Sequence, residues 1–216
     1  MRSVSRQVGI WAPPGQRPGD DVLALAAEAG ALGGARALAR WLGAPGVAPG
    51  STDAVAYVHG ERHDLWWEFQ LSASFRWQAH IHRMNPAFAA QRLTRLAGYF
   101  GLTDLMTRRV ESLSPGELAR ANLAVALLPQ PHLLVWEEPF RSLPGPDWMQ
   151  LCRSVRRLCR TEGLTVIMVA EAHETANDME DITNDWLHQT RPDHPGDRHR
   201  AWAPRGRVAA TGTHWP

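Results

Sequence analysis

Lysine is missing from all 216 residues; every one of the 23 basic side chains is an arginine. The bias fits GC-rich codon usage, and it removes one chemistry outright, because no lysine ammonium exists to neutralise a bound phosphate. Excess charge of either sign is missing too. The 23 basic and 22 acidic side chains leave a net charge of +1, so bulk electrostatics argues for neither a nucleic-acid nor a membrane-surface partner. No run of about 18 apolar residues occurs, and the first residues show no signal-peptide core. The expectation is a chain that is soluble or held to a membrane by a partner. Cysteine is limited to Cys152 and Cys159, on a helical pattern that continues through Leu151, Val155 and Leu158. That company predicts buried thiols of a reducing cytosol, not a disulfide or a ligand pair. The ten histidines do not make a metal site: His80 and His82 face apart on a helix, and His188, His194 and His199 lie in a polar stretch without regular spacing.

What is present reads as alternating elements. Gln7 to Ala12 predicts a strand, followed by the loop PPGQRPG and a helix from Asp20, Asp21 and Val22 to about Leu32. A Gly/Pro-rich loop leads to a second strand at Ala54 to His59. From residue 63 to about 112 the character changes, with Trp66, Trp67 and Trp77 followed by helical patterns such as FAAQRLTRLAGYF, which suggests an inserted helical lobe. Strand LLVW, helix DWMQLCRSVRRLCR and strand TVIMVA then form a βαβ unit, and with it comes the expectation of a parallel sheet. Beyond Trp186 the sequence is polar and punctuated until a short strand near GRVAA.

The stretch ESLSPGELARANLAVALLPQPHLLVWEEPF, residues 111 to 140, carries most of the information. Ser114, Pro115 and Glu117 have the spacing of a capping box with proline at the first helical position. Leu118, Ala121, Val125 and Leu128 follow at helical spacing, and Pro129 and Pro131 end the helix. His132 to Trp136 is a short, mostly apolar run of the kind buried in parallel sheets, and Glu137-Glu138 stands at its carboxyl end. Ligands of open α/β sheets gather at that edge.

Taken in order, these elements resemble the nucleotide-binding domain of ABC transporters over nearly the whole chain. LSPGE at 113–117 is similar to the family's signature LSGGQ, and LLVWEEP at 133–139 to its Walker B strand with the catalytic glutamate. VHGERHDLWWEF at 58–69 is similar to the Q-loop region of ABC-2-type exporter ATPases, where a glutamine is followed by a Trp-Trp pair; GRVAATGT at 206–213 is similar to the closing strand and turn. The intervals between these motifs are also those of the family. The resemblance implies an α/β, P-loop NTPase-like (RecA-like) fold, a mostly parallel sheet flanked by helices. Residues 1–216 would form one degenerate ATPase domain, with residues 63–115 as an inserted helical subdomain carrying the signature at its end.

Against the family pattern the sites are eroded. The stretch APPGQRPGD, residues 12–20, occupies the place of the P-loop, with Gly15, Arg17, Pro18, Gly19 and Asp20 in it. Pro18 stands for the phosphate lysine and has no N–H, Gly19 stands for the magnesium hydroxyl, and Asp20 and Asp21 put carboxylates at a helix start where phosphate would bind. Glu137 replaces the Walker B aspartate, while Glu138 keeps the place of the general base. Glu61 stands for the Q-loop glutamine, Pro144 for the D-loop aspartate and Glu171 for the switch histidine, with His173 two residues late. The signature survives better: Ser114 and Gly116 could meet the γ-phosphate of an ATP held by a facing subunit, with Glu117 adding a negative charge. The same residues also read as no more than a well-capped helix.

The resemblance therefore implies a non-catalytic subunit of an ABC-2-type exporter on the cytoplasmic side of the membrane. It would bind no nucleotide in its own P-loop, would pair with an intact ATPase that holds ATP and Mg, and would dock on the permease through Trp66, Trp67 and Phe69, although aromatics beside a helical lobe are also ordinary core. Two alternatives stay open: a stand-alone scaffold of the same fold, and an active ATPase built on Arg17, Glu137 and Glu138.

Overall fold

The computed structural model describes residues 6–13, 15–16, 18–42, 55–60, 63–139, 143 and 145–171. Its strands, numbered in chain order, are β1 (Arg6–Trp11), β2 (Val55–His59), β3 (Leu133–Glu137) and β4 (Thr165–Glu171). The apolar run Leu133 to Trp136 puts β3 inside the sheet, where it is buried along its whole length, as a strand covered on both faces must be. β2 and β4 flank β3 in parallel, and β1 adds to the outer side of β4 in the antiparallel sense. The order is β1-β4-β3-β2.

Side-chain alternation along β3 divides the core in two. Leu134 and Trp136, with Val166 and Met168 of β4, face α3 (Leu71–Ile81), α4 (Pro86–Phe100), α5 (Pro115–Ala126) and α6 (Gly145–Glu162). Leu133 and Val135, with Ile167 and Val169, face α1 (Asp20–Leu32) and α2 (Gly34–Leu42). By the same alternation Glu137 falls on the α1–α2 side, and this decides what it can touch.

Local chemistry starts and ties the helices. At α4, the side-chain oxygen of Asn85 accepts from the N–H groups of Ala87 and Phe88 at 2.9 and 3.3 Å, and Pro86 takes the first helical position. Arg92 of α4 is buried and donates to Glu162 at the end of α6 (2.5 Å) and to the carbonyl of Leu127 after α5 (3.1 Å). Paired in this way, neither charge is left uncompensated in the interior. Cys152 and Cys159 are free and buried in α6; burial pushes the Cys159 thiol up to about 12 and raises that of Cys152 as well, so neither is a nucleophile at neutral pH. No helix among the described residues is long and apolar enough to cross a membrane.

Two features depart from the sequence reading. α2 was not anticipated, and β1 runs against its neighbour. The second changes where the glycine-rich loop of residues 12–20 ends up, and the first supplies the helix end that meets Glu137.

Candidate functional site

Glu137, the last residue of β3, is buried and faces the first turn of α2. The N–H of Gly34 donates to its Oε1 at 2.9 Å, the N–H of Ala35 to its Oε2 at 3.1 Å, and the Tyr57 hydroxyl to Oε2 at 2.6 Å. The first N–H groups of a helix have no partner within it and carry the positive end of its dipole, so the carboxylate sits in an anion-binding position. Residue 34 is glycine for want of space: a Cβ there would lie 3.1 Å from Val135 Cγ1 and 3.2 Å from Glu137 Oε2. Gly33, at φ 91°, ends α1 by donating to the Ala29 carbonyl at 2.9 Å and lets the chain turn directly into α2. Burial by itself would raise the pKa of Glu137. The Tyr57 hydroxyl, the N–H groups of Ala35 and Gly34, and the charge of His59 outweigh it and hold the carboxyl below its ordinary value.

Glu138 follows, also buried, with φ at 50°. Its N–H donates to the Val169 carbonyl at 2.8 Å, so the backbone keeps its place beside β4 as the chain leaves the strand. For a residue with a Cβ this left-handed conformation costs on the order of 1–3 kcal/mol.

The loop expected to cradle phosphate lies elsewhere. Trp11 pairs with Val166, near the start of β4, whereas Glu137 pairs with Val169. The loop that leaves Trp11 therefore emerges at the amino edge of the parallel strands, about three residues or ~10 Å of strand away from the Glu137 level. Gly15, Pro18, Gly19 and Asp20 stand at that opposite edge, and they do not form one site with Glu137 and Glu138. The cause is the antiparallel direction of β1. Gly15 is exposed in a turn closed by Gln16 N–H to the Pro13 carbonyl at 3.0 Å, and Gly19 precedes α1 with Asp20 and Asp21 in the first turn. α1 then carries the chain across one face of the sheet, and α2 begins beside Glu137. Reading motifs in sequence missed Gly33, Gly34, Ala35 and Tyr57. A signal for α2 was present, a glycine pair followed by Ala37, Leu38, Trp41 and Leu42 at helical spacing.

Arg17, Glu61, Pro144 and His173 lie outside the described residues, as do the histidines beyond residue 171 and the segment 206–213; Glu171 is described only as the end of β4, in register with Arg6.

The start of α5 forms a second helix end. Both bonds of the capping box are present: Ser114 N–H donates to Glu117 Oε2 at 2.8 Å, and Glu117 N–H donates to Ser114 Oγ at 3.3 Å. Ser114 is exposed and Gly116 buried, and a Cβ on Gly116 would collide with the carboxylate of Asp147 in α6. Arg108 reaches Glu117 at 3.3 Å and also donates to the Ser112 carbonyl, so a guanidinium offsets the charge of Glu117.

Trp66, Trp67 and Phe69 are 45%, 50% and 52% exposed, which places them on the surface and not in the core. Trp66 packs edge-on against Trp77 at 5.6 Å and near Phe69 at 5.7 Å, while Trp67 stacks on His63 at 5.4 Å. These contacts make two aromatic clusters before and along α3, Trp66 with Phe69 and Trp77, and Trp67 with His63.

The sequence and the fold have counterparts among known proteins. No protein-family model matches the chain. The phosphonates import ATP-binding protein PhnC 2 of Rhodopseudomonas palustris is 41% identical over 96 residues, 44% of this chain and 34% of that protein. The aliphatic sulfonates import ATP-binding protein SsuB of Delftia acidovorans is 29% identical over 213 residues, 90% of this chain and 83% of its own length. The chain spans about a third of the length of the first of these relatives. Among solved structures, cbiO1 from Clostridium perfringens, part of the ABC transporter complex cbiONQ, superposes with a TM-score of 0.51 at 15% identity, covering 63% of this chain and 50% of that one. The four-stranded mixed sheet and its flanking helices thus carry the ABC ATPase form of the P-loop NTPase fold, and the chain's relatives in sequence are ATP-binding subunits of ABC transporters.

Proposed function

We propose that this chain is a non-catalytic subunit of an ABC transporter, which pairs with an intact ATPase and presents the start of α5 to that subunit's ATP. The observation that carries the reading is the contrast between two helix ends. At the carboxyl edge of the sheet, where nucleotide phosphates bind in open α/β proteins, the free N–H groups of α2 are taken by Glu137. At α5, Ser114 is exposed at a positive helix end, and Arg108 offsets the nearby Glu117. The absence of lysine supports the same conclusion.

In this proposal ATP and Mg are held by the partner ATPase, and the chain lies at the cytoplasmic side of the membrane through a permease. The exposed Trp66, Trp67 and Phe69 are the docking surface, since aromatic side chains are favoured anchors at interfaces. Export of the ABC-2 type rests on the Trp66-Trp67 pair, whereas the curated relatives carry import names; the permease recovered with the chain decides the direction.

The test uses the complex purified from native membranes. Ser114→Arg abolishes its ATPase activity, while Glu138→Gln leaves it nearly unchanged. Equal loss from both substitutions sinks the proposal. Magnesium-dependent hydrolysis by the chain alone, lost in Glu138→Gln, establishes instead an active enzyme, and recovery without permease or ATPase establishes a scaffold.

A further inference from the structure

We propose that the outer face of α3 and the turn that follows it bind the interface of an anionic lipid bilayer, through Trp77, Ile81 and Phe88 with Arg76 and Arg83. Among the described residues the exposed large hydrophobic side chains, Met149 excepted, all lie between Trp66 and Phe88. α3 is apolar on two sides. Leu71, Phe75 and Ala79 are buried in the core, while Trp77 and Ile81, one turn apart, stay 47% and 53% exposed. Phe88, 42% exposed, stands in the first turn of α4, across the short connection from Ile81. The charge around them has one sign. From Phe69 to Thr103 the sequence carries no aspartate or glutamate, and of its four arginines Arg92 and Arg95 meet Glu162, whereas Arg76 and Arg83 are exposed. The net charge of +1 averages this local excess away. Arg83 is also held in a strained conformation. It closes α3 at φ 51°, its N–H donating to the His80 carbonyl and that of Met84 to the Ala79 carbonyl, in the left-handed cap where glycine is free of strain. A partner for this face must accept indole and aliphatic side chains and offer negative charge beside them. An anionic bilayer interface does both, with tryptophan at headgroup depth and arginines on the phosphates. The face adjoins the surface proposed for the permease, since Trp66 packs on Trp77 at 5.6 Å; only this placement, and not the lipid binding itself, rests on the proposed function.

The test is co-sedimentation of the full chain, without partners, with vesicles of phosphatidylcholine alone and of an equal mixture with phosphatidylglycerol. The wild type sediments with the mixed vesicles, less with phosphatidylcholine alone, and salt weakens the binding. Trp77→Ser combined with Ile81→Ser lowers the partition coefficient by about tenfold or more. Arg83→Gly lowers it about fivefold and leaves the melting temperature equal or higher, because glycine relieves the strained cap. Binding then falls without loss of stability, which a purely structural role for Arg83 does not produce. No sedimentation of the wild type with mixed vesicles, or equal sedimentation of these variants, overturns the proposal. So does a concentration-dependent dimer that ignores vesicles and is dissolved by the Trp77→Ser and Ile81→Ser pair, which assigns the face to a second copy of the chain. The vesicles contain no permease, so lipid binding can fail while permease and ATPase are still recovered with the chain, and it can succeed when they are not.

Discussion

The starts of α2 and α5 solve the same electrostatic problem with carboxylates of different origin. At α5 the carboxylate of Glu117 comes from the helix's own first turn and closes on Ser114 three residues back, at the surface. At α2 the carboxylate of Glu137 arrives from a strand 103 residues away and is buried under two backbone N–H groups and a tyrosine hydroxyl. A local cap stabilises one helix. A distant cap fastens a helix to a sheet.

The contrast can be broken most strongly at its buried side. Glu137→Ala leaves three donors without an acceptor and is expected to cost about 3–5 kcal/mol in urea unfolding. The same carboxyl sets an acid-side dependence. Its pKa is lowered in the folded chain, so its contribution is complete above the ordinary value of about 4.5 and is lost as pH falls through the folded value; Glu137→Gln flattens that slope in an acid unfolding series. Gly34→Ala crowds Val135 and Glu137 at once and is expected to cost about 1–3 kcal/mol, read as a lower midpoint in the same denaturant. Ser114→Ala removes one side of the exposed capping box and should cost about 1 kcal/mol or less. If Ser114→Ala proved as costly as Glu137→Ala, the distinction between a local and a distant cap would not hold.

The difference between the two ends also explains what could be read in the sequence. Ser114, Pro115 and Glu117 announce α5 because both bonds of the box lie within four residues, and Leu133 to Trp136 announces β3 because a buried parallel strand is apolar throughout. The helix from Asp20 to Leu32, the long helix ending before Gly163 and the strand from Thr165 follow their periodicity for the same reason. Strand direction is not encoded in periodicity, so the antiparallel pairing of β1 with β4 was invisible, and with it the side of the sheet on which Gly15 and Gly19 fall. The partners of Glu137 were equally hidden. Tyr57 is a mid-strand residue with an ordinary pattern, and Gly33-Gly34 reads as a break until β3 is brought alongside. Nor does sequence alone separate a core tryptophan from a surface one; Trp66 and Trp67 differ from Trp136 only in what the fold lays over them.

The 103-residue span between α2 and its cap has a consequence in time. α1 and α2 leave the ribosome long before β3 exists, and until then the first turn of α2 has no carboxylate to receive its N–H groups. Closing so long a loop is slow relative to forming either helix. The amino-terminal helices are thus made first and fastened late, and during synthesis their face toward the sheet stays partly uncovered until β3 and β4 are made.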